Sequence, residues 1–120
     1  MKTMNQYSQD ERTRYVNLPD AMNRLRGNEK IYRTLLKTFD ANTYMAELLS
    51  DIEKNDLETA AKTAHKIKGV TGNLSLDEAH SAIVLLESQL KNGLEYQDAL
   101  QKLGEVMQKT MEFVNIMLEE

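Results

Sequence analysis

The sequence predicts an all-α protein, folded as an antiparallel up-down-up-down four-helix bundle with one or more additional short helices at the N-terminus. Apolar residues recur at intervals of three and four along most of the chain, which is the period of a helix facing a core. The 120 residues include one proline and five glycines, so little in the sequence breaks helices. Short turns separate four long amphipathic segments, and short connections favour antiparallel neighbours.

The composition limits the possible classes of function. The chain has no cysteine, which excludes disulfides, thiolate zinc sites and cysteine nucleophiles. Its net charge of -4 argues against a dedicated nucleic-acid binder, which needs basic residues to neutralise phosphates. The polar N-terminus does not resemble a signal peptide, and no apolar stretch reaches the roughly 18 residues of a membrane span. We therefore expect a cytoplasmic protein that does not contact a membrane.

The N-terminal part is predicted to hold short elements. Met1 to Val16 mixes charged residues with isolated apolar ones, and it forms either a short helix that packs as a lid or a frayed tail. Asn17 is a cap residue and Pro19 suits a first turn, so a short helix begins there. Gly27 ends it.

The first long helix is predicted from Glu29 to Ile52, over six or seven turns. Its apolar stripe, interrupted only by the polar Asn42, consists of Ile31, Leu35, Phe39, Met45, Ala46, Leu49 and Ile52. This is the longest predicted element.

Two capping boxes predict the starts of the next two helices. In each box a cap residue is followed three positions later by a glutamate, so that side chains satisfy free backbone amides. Asn55 with Glu58 opens one helix, and Ser75 with Glu78 opens the other. The helices end near Gly72-Asn73 and Asn92-Gly93 respectively.

The last helix is predicted from Tyr96 to Met117, with apolar residues on one face throughout. Met107, Met111 and Met117 follow its helical spacing, which indicates core packing rather than a metal site.

A histidine on the second long helix is the candidate functional residue. Projected on a helix, His65 falls at the edge of the apolar stripe, so its imidazole is predicted to be exposed. Gly69 lies inside the same helix, where glycine costs about 1 kcal/mol relative to alanine. Because helical side chains lean towards the N-terminus, a side chain at 69 would cover the imidazole. Lys68 is placed to bring an ammonium to oxygens attached to the ring, with weaker positive charge from Lys62 and Lys66.

These residue types suit reversible phosphoryl transfer. A neutral imidazole is a competent nucleophile near neutral pH, and its phosphoramidate keeps a high transfer potential. The chain has no acidic metal cluster and no phosphate-binding glycine loop. We therefore expect no cofactor or metal of its own, and Mg²⁺ and an acyl phosphate supplied by the partner.

The ordered motif around His65 resembles the signature of histidine-containing phosphotransfer (HPt) domains. The residues that carry the resemblance are Ala64-His65-Lys66-Ile67-Lys68-Gly69, Gly72-Asn73-Leu74, Leu85-Leu86-Glu87 and Gly93, with Leu25-Arg26-Gly27-Asn28 and Phe39 upstream. Ser75 departs from the family, in which many members carry glycine after the Asn-Leu pair. The resemblance predicts an N-terminal extension over 1–16 and a phosphotransfer domain over 17–120.

The resemblance implies a role in a two-component phosphorelay. His65 would take a phosphoryl group from a receiver-domain aspartate and pass it to a response regulator, with Lys68 stabilising it and Gly69 giving access. Glu87 matches a frequent acid of the family and would support His65 through Nδ1, with Gln89 as the alternative. The partners implied are a receiver domain, a sensor histidine kinase or both. No autonomous kinase activity is expected, and the chain is expected to be a monomer.

Other readings remain open at this point. An exposed histidine alone is more often an ordinary surface residue, Gly69 alone would also permit close helix packing, and Lys68 alone would be a solvated charge. The rival function is a helical adaptor or inhibitor that binds a receiver or kinase without being phosphorylated, and a third is a fragment of a hybrid sensor kinase. His80 lacks a following lysine and glycine, so a structural or surface role is expected for it.

Overall fold

The computed structural model describes residues 7–120, which form seven helices and no strand. The helices are α1 (Gln9–Tyr15), α2 (Leu18–Arg24), α3 (Glu29–Leu36), α4 (Ala41–Glu53), α5 (Leu57–Asn73), α6 (Asp77–Lys91) and α7 (Gln97–Glu119). Residues 1–6, the first part of the predicted N-terminal extension, lie outside the described residues.

The four longest helices, α4 to α7, form the predicted bundle. Each packs against the next in sequence, and α4 also packs against α7, which closes the ring. The connections between them are a few residues long, so successive helices run antiparallel. The core side chains of α5, α6 and α7 lie on the stripes that the sequence predicts, among them Ile67, Ile83 and Phe113, each fully buried. The all-α bundle fold is thus confirmed.

The single long helix predicted over Glu29 to Ile52 is wrong, because the chain breaks between α3 and α4. Asp40 has an extended backbone and caps α4, accepting hydrogen bonds from the amide and the hydroxyl of Thr43. Phe39 stays buried in the core at the break. An aspartate whose side chain satisfies a free amide at a helix start is more stable there than inside a continuous helix.

The apolar face predicted for this segment is wrong in part. Ile31, Leu35 and Leu49 are exposed, whereas the neighbouring positions Tyr32 and Leu48 are buried. Phe39, Met45 and Ile52 of the predicted stripe do pack against the core. The buried position lies one residue later than predicted at Tyr32 in α3 and one residue earlier at Leu48 in α4.

The N-terminal helices pack on the bundle. Helix α1 contacts α6 and α7, and the ring of Tyr15 stacks on Phe113 at 5.1 Å between centroids. Residues 7–16 therefore follow the lid alternative rather than the frayed tail. Asn17 caps α2 as predicted, accepting a hydrogen bond from the amide of Asp20. The chain then turns at Gly27, which has a φ of +80°.

Both predicted capping boxes are displaced in the structure. Helix α5 is capped by Asp56, which binds the amide and hydroxyl of Thr59, while Asn55 has a left-handed φ of +57°. Ser75 likewise has a φ of +57° and does not cap α6. Its hydroxyl donates to Asp20 at 2.7 Å instead, which ties α2 to the turn before α6.

Helix α7 is the longest element and buries Met107 and Met117 in the core, with Met111 partly buried against it. The core role predicted for these methionines agrees with this packing. Within residues 7–120, no helix is both long and apolar enough to cross a membrane.

Candidate functional site

Helix α5 presents His65 on the surface of the bundle. Its neighbours Ala61, Ala64 and Ile67 are buried and fix the face that α5 turns to the core. His65 lies beside that face, and its side chain is 66% exposed. The ring is therefore reachable from solvent, as the helical projection predicts.

A buried carboxylate on α6 holds the imidazole of His65. Oε2 of Glu87 lies 2.9 Å from Nδ1 of His65, and its Oε1 lies 2.6 Å from Nζ of Lys68. Lys91, one helical turn further along α6, places its Nζ 3.2 Å from Oε2. The Glu87 side chain is only 4% exposed. One carboxylate therefore joins a histidine and two lysines, and we call these four residues the Glu87 cluster.

The surroundings of Glu87 fix its charge. Burial raises the pKa of the carboxyl group, but hydrogen bonds from Lys68, Lys91 and His65 outweigh burial and lower the pKa below its ordinary value. The group is therefore an ionised carboxylate near neutral pH, and a carboxylate only accepts hydrogen bonds. Nδ1 of His65 must then be the donor, which leaves the lone pair of a neutral ring on Nε2.

The lysines near His65 have different partners. Lys66 binds both oxygens of Glu47 at 2.8 and 2.9 Å and lies over the ring of Tyr44, so its charge is directed to α4. Lys62 is exposed and lies 3.9 Å from Glu58. Lys68 and Lys91 alone among these four bind the carboxylate that holds His65.

An open groove runs beside His65 between the N-terminal half of α5 and the C-terminal end of α6. Its floor is apolar, formed by Leu57, Ala61 and Leu90. Lys62, Glu58 and Lys91 lie at its rim together with His65. Of the lysines near His65, Lys91 and Lys62 line this groove and Lys66 does not.

Gly69 faces open space. Apart from its own local backbone, no atom of the described part of the chain lies within 4 Å of a Cβ atom built on Gly69. Close packing within the domain therefore does not require glycine at this position. The structure therefore agrees with the second interpretation of Gly69, in which the glycine leaves room for a partner above the imidazole of His65.

The second histidine has a structural role, as expected. Nδ1 of His80 donates to the backbone carbonyl of Lys68 at 3.1 Å. The His80 ring lies so near Gly72 that an added Cβ would come within 3.1 Å of it. Gly72 thus permits α5 and α6 to approach, and His80 joins them through the carbonyl of Lys68, a member of the Glu87 cluster.

The structure places the predicted site residues as follows. His65, Lys68 and Glu87 come together, and Gly69 lies next to them on the open side of α5. Gln89 does not take the place of Glu87, since its Oε1 is buried and has no hydrogen-bond partner among residues 7–120. Lys91 is the site residue that the sequence reasoning missed. Its position four residues after Glu87 on the same helix was the available signal.

Within residues 7–120, no group of three or more histidine, aspartate or glutamate side chains is arranged to hold a metal ion.

The protein is thus a four-helix bundle with an exposed histidine on its surface. A buried carboxylate orients the imidazole, and two lysines bind that carboxylate. The family model for the Hpt domain matches residues 35–119. The match covers more than half of the chain, and the chain belongs to the Hpt domain family, which takes part in histidine phosphotransfer in two-component signalling. No curated protein and no solved structure gave a significant match. The match lies inside the domain predicted over 17–120, whose own boundary stays a prediction.

Proposed function

We propose that this protein is a phosphorelay intermediate, which accepts a phosphoryl group on Nε2 of His65 from a receiver-domain aspartate and passes it to a response regulator. The observation that carries the proposal is the 2.9 Å contact between Nδ1 of His65 and Glu87. It holds the ring in the tautomer whose exposed nitrogen is nucleophilic.

The transfer needs no proton to leave the ring. The Nε2 lone pair attacks the phosphorus of the aspartyl phosphate, an N–P bond forms, and the O–P bond breaks. The bonding pair goes to the leaving aspartate carboxylate. The product ring carries the phosphoryl group on Nε2 and a proton on Nδ1, so it is cationic, and the Glu87 carboxylate lies against that proton. In the second transfer a receiver carboxylate attacks phosphorus and the N–P pair returns to Nε2.

Glu87 acts on both transfers through charge. It stabilises the positive ring that forms as phosphorus bonds to Nε2, and this effect is strongest where water is excluded. Lys68 holds Oε1 of Glu87 at 2.6 Å and thereby orients the carboxylate. The stabilisation of the phosphoryl group predicted for Lys68 is proposed to act indirectly, through this orientation of Glu87.

The partner contributes the rest of the chemistry. A receiver domain would supply the acyl phosphate and the Mg²⁺ that neutralises the transferring group. The partners proposed are therefore a receiver domain, a sensor histidine kinase or both, with this chain as a monomeric relay that lacks kinase activity of its own. Gly69 leaves the space above His65 through which an aspartyl phosphate would approach.

The experiment that tests this function is incubation with a phosphorylated receiver domain, followed by intact-mass analysis before and after acid treatment. We expect one acid-labile phosphoryl group on the wild type and none on His65→Gln. His80→Gln is the matched control, because it removes the other histidine and should still be phosphorylated. Equal labelling of His65→Gln would refute the assignment. Binding of the receiver with no phosphoryl group on any variant would favour the adaptor that is not phosphorylated.

A further inference from the structure

Lys91 and His65 share one carboxylate oxygen. Nζ of Lys91 and Nδ1 of His65 both bind Oε2 of Glu87, at 3.2 and 2.9 Å. Since both atoms bond the same oxygen, they are about 6 Å apart at most, the sum of two hydrogen-bond lengths. The flexible four-carbon stem of lysine spans that distance by rotation. A phosphoryl group on Nε2 would lie across the ring from Nδ1, and the Lys91 ammonium would reach it by rotating within the groove that both side chains line.

Lys68 is held more firmly than Lys91. Lys68 lies 2.6 Å from its carboxylate oxygen and its side chain is 31% exposed, whereas Lys91 lies 3.2 Å away and is 56% exposed. Lys91 also lines the open groove beside His65, of which Lys68 is not part. Of the two lysines, Lys91 has the weaker contact and the more open surroundings.

The charges of the Glu87 cluster leave one lysine in surplus. With a neutral ring, the negative charge of Glu87 balances one of its two lysines, and the cluster carries one excess positive charge. Phosphorylation on Nε2 adds a cationic ring and a phosphoryl group with two negative charges. The cluster then becomes neutral only if both lysines remain in it. Lys68 already has the shorter bond to Glu87, so Lys91 is the cation left to balance the phosphoryl group.

We propose that Lys91 is the residue that contacts the phosphoryl group on His65. This inference rests on the proposed function. The Lys91 ammonium leaves Oε2 of Glu87 and binds the phosphoryl oxygens, while Lys68 and the Nδ1 proton stay on the carboxylate. Lys68 is then a positioning residue, and Lys91 a binding residue that changes partner with phosphorylation.

The test uses a phosphoryl donor that needs no partner protein. Phosphoramidate transfers its phosphoryl group to imidazole: the Nε2 lone pair forms the N–P bond, and ammonia leaves with the pair of the broken P–N bond. The variants are Lys91→Met, which removes the charge, and Lys91→Arg, which keeps it. Lys62→Met is the matched control, because Lys62 lines the same groove but does not bind Glu87. Helical circular dichroism checks that each exposed substitution leaves the fold intact.

Two quantities are measured on each variant, namely the initial rate of phosphorylation and the pKa of the bound phosphoryl group by ³¹P NMR titration. For Lys91→Met we expect a rate about tenfold lower, the effect of losing one charge-assisted hydrogen bond. We also expect a higher phosphoryl pKa, because a nearby cation favours the dianion. Lys91→Arg should stay close to wild type in both quantities, and Lys62→Met should change the rate less than about twofold.

The pKa of the phosphoryl group distinguishes a lysine that contacts this group from a lysine that only positions Glu87. Lys68→Met is expected to slow phosphorylation but to leave the phosphoryl pKa near the wild-type value. If Lys91→Met has the wild-type pKa and rate, or if Lys68→Met alone shifts the pKa, Lys91 does not contact the phosphoryl group and the proposal is overturned. If the wild type takes no phosphoryl group on His65 from phosphoramidate or from a phosphorylated receiver, the proposed function fails and the role of Lys91 fails with it.

Discussion

The carboxylate of Glu87 offers the sharpest perturbation of the site, because Glu87→Gln changes its charge with little change of shape. The amide oxygen of glutamine still accepts a hydrogen bond from Nδ1 of His65, so the ring keeps its tautomer. What is lost is the negative charge against the ring that becomes positive during transfer. The variant thus isolates electrostatic stabilisation from orientation.

The size of the effect follows from the contact at Nδ1. A hydrogen bond to a charged group contributes about 1.5–3 kcal/mol, roughly twice the value for a neutral pair. Loss of the charge at 2.9 Å should therefore cost about 1–1.5 kcal/mol in the transition state, or roughly a tenfold lower rate of phosphorylation. Glu87→Leu also removes the hydrogen-bond acceptor, so its rate of phosphorylation should be lower again by about another factor of ten.

The assay is single-turnover transfer from a phosphorylated receiver domain, with the rate followed by phosphoprotein gel or intact mass. Glu47→Gln is the control, because it removes the carboxylate that binds Lys66 on the α4 side and leaves the Glu87 cluster intact. We expect its rate to stay within about twofold of wild type. A Glu87→Gln rate equal to that of Glu47→Gln would refute the argument that the charge of Glu87 acts on the ring.

Glu87 also has a predictable effect on stability as pH changes. Its folded pKa is lower than its ordinary value, so it stabilises the folded protein above the ordinary glutamate pKa of about 4.3. This contribution is lost as pH falls through the lower folded pKa, where the folded carboxylate takes up a proton. The difference in unfolding free energy between wild type and Glu87→Gln should accordingly be constant from neutral pH to about pH 5 and shrink below pH 4. Urea unfolding at several pH values measures it, and a difference that grows on acidification would contradict the assigned direction.

Three further predictions concern the surroundings of the site and the start of α5. Lys68→Ala should slow transfer without abolishing it, because Lys91 and His65 still hold Glu87; complete loss in the single-turnover assay would contradict this. Gly69→Ala should raise the unfolding free energy by about 0.5–1 kcal/mol in urea, since its Cβ meets open space, whereas Gly69→Leu should weaken receiver binding, measured by calorimetry. Asp56→Ala should lower the unfolding free energy by about 1 kcal/mol because the helix loses its cap. Glu58→Ala should lower the unfolding free energy by less than about 0.5 kcal/mol. Equal losses for the two variants would contradict the cap at Asp56 and support the predicted capping box.

Local rules predict α5, α6 and α7 well and the region before them poorly. The stripes of the last three helices are long and regular, so periodicity alone identifies their buried faces. The segment from Glu29 to Ile52 also has helical periodicity, but Asp40 and Thr43 form a cap inside it. A capped break and a continuous helix differ only by small free energies, so the packing of the segment on the rest of the protein settles which one forms. That packing depends on tertiary contacts that periodicity does not contain.

The turn residues illustrate the same limit. Asn55 and Ser75 are common cap residues, and both take left-handed backbones just before their helices instead. In each case the residue after the predicted cap becomes the true boundary, Asp56 for one helix and Leu76 for the other. Ser75 is drawn away by its hydrogen bond to Asp20 on α2, a contact 55 residues distant in sequence.

Some features of the site can likewise be predicted from one helix, and others cannot. The exposure of His65 and the open position of Gly69 follow from the geometry of one helix, and both appear in the structure. The contact between His65 and Glu87 depends on the register of the α5–α6 hairpin. The resemblance to the family suggested it, but the residues of one helix do not specify it. The spacing of Glu87 and Lys91 is visible in the sequence, but only the structure shows that the same carboxylate also binds Lys68 and His65.

The position of Glu87 is not explained by stability alone, and its contact with His65 supports the proposed role of its side chain. It lies on the buried face of α6 between Ile83 and Leu90, where an aliphatic side chain would fill the core. Removing a carboxylate from water costs several kcal/mol, and hydrogen bonds from partners that solvent still reaches only offset that cost. A leucine here would release two lysines whose ammonium groups are partly exposed, at little loss of stability. It would also leave Nδ1 of His65 without an acceptor, so the same substitution that spares the fold would remove what prepares the imidazole for transfer.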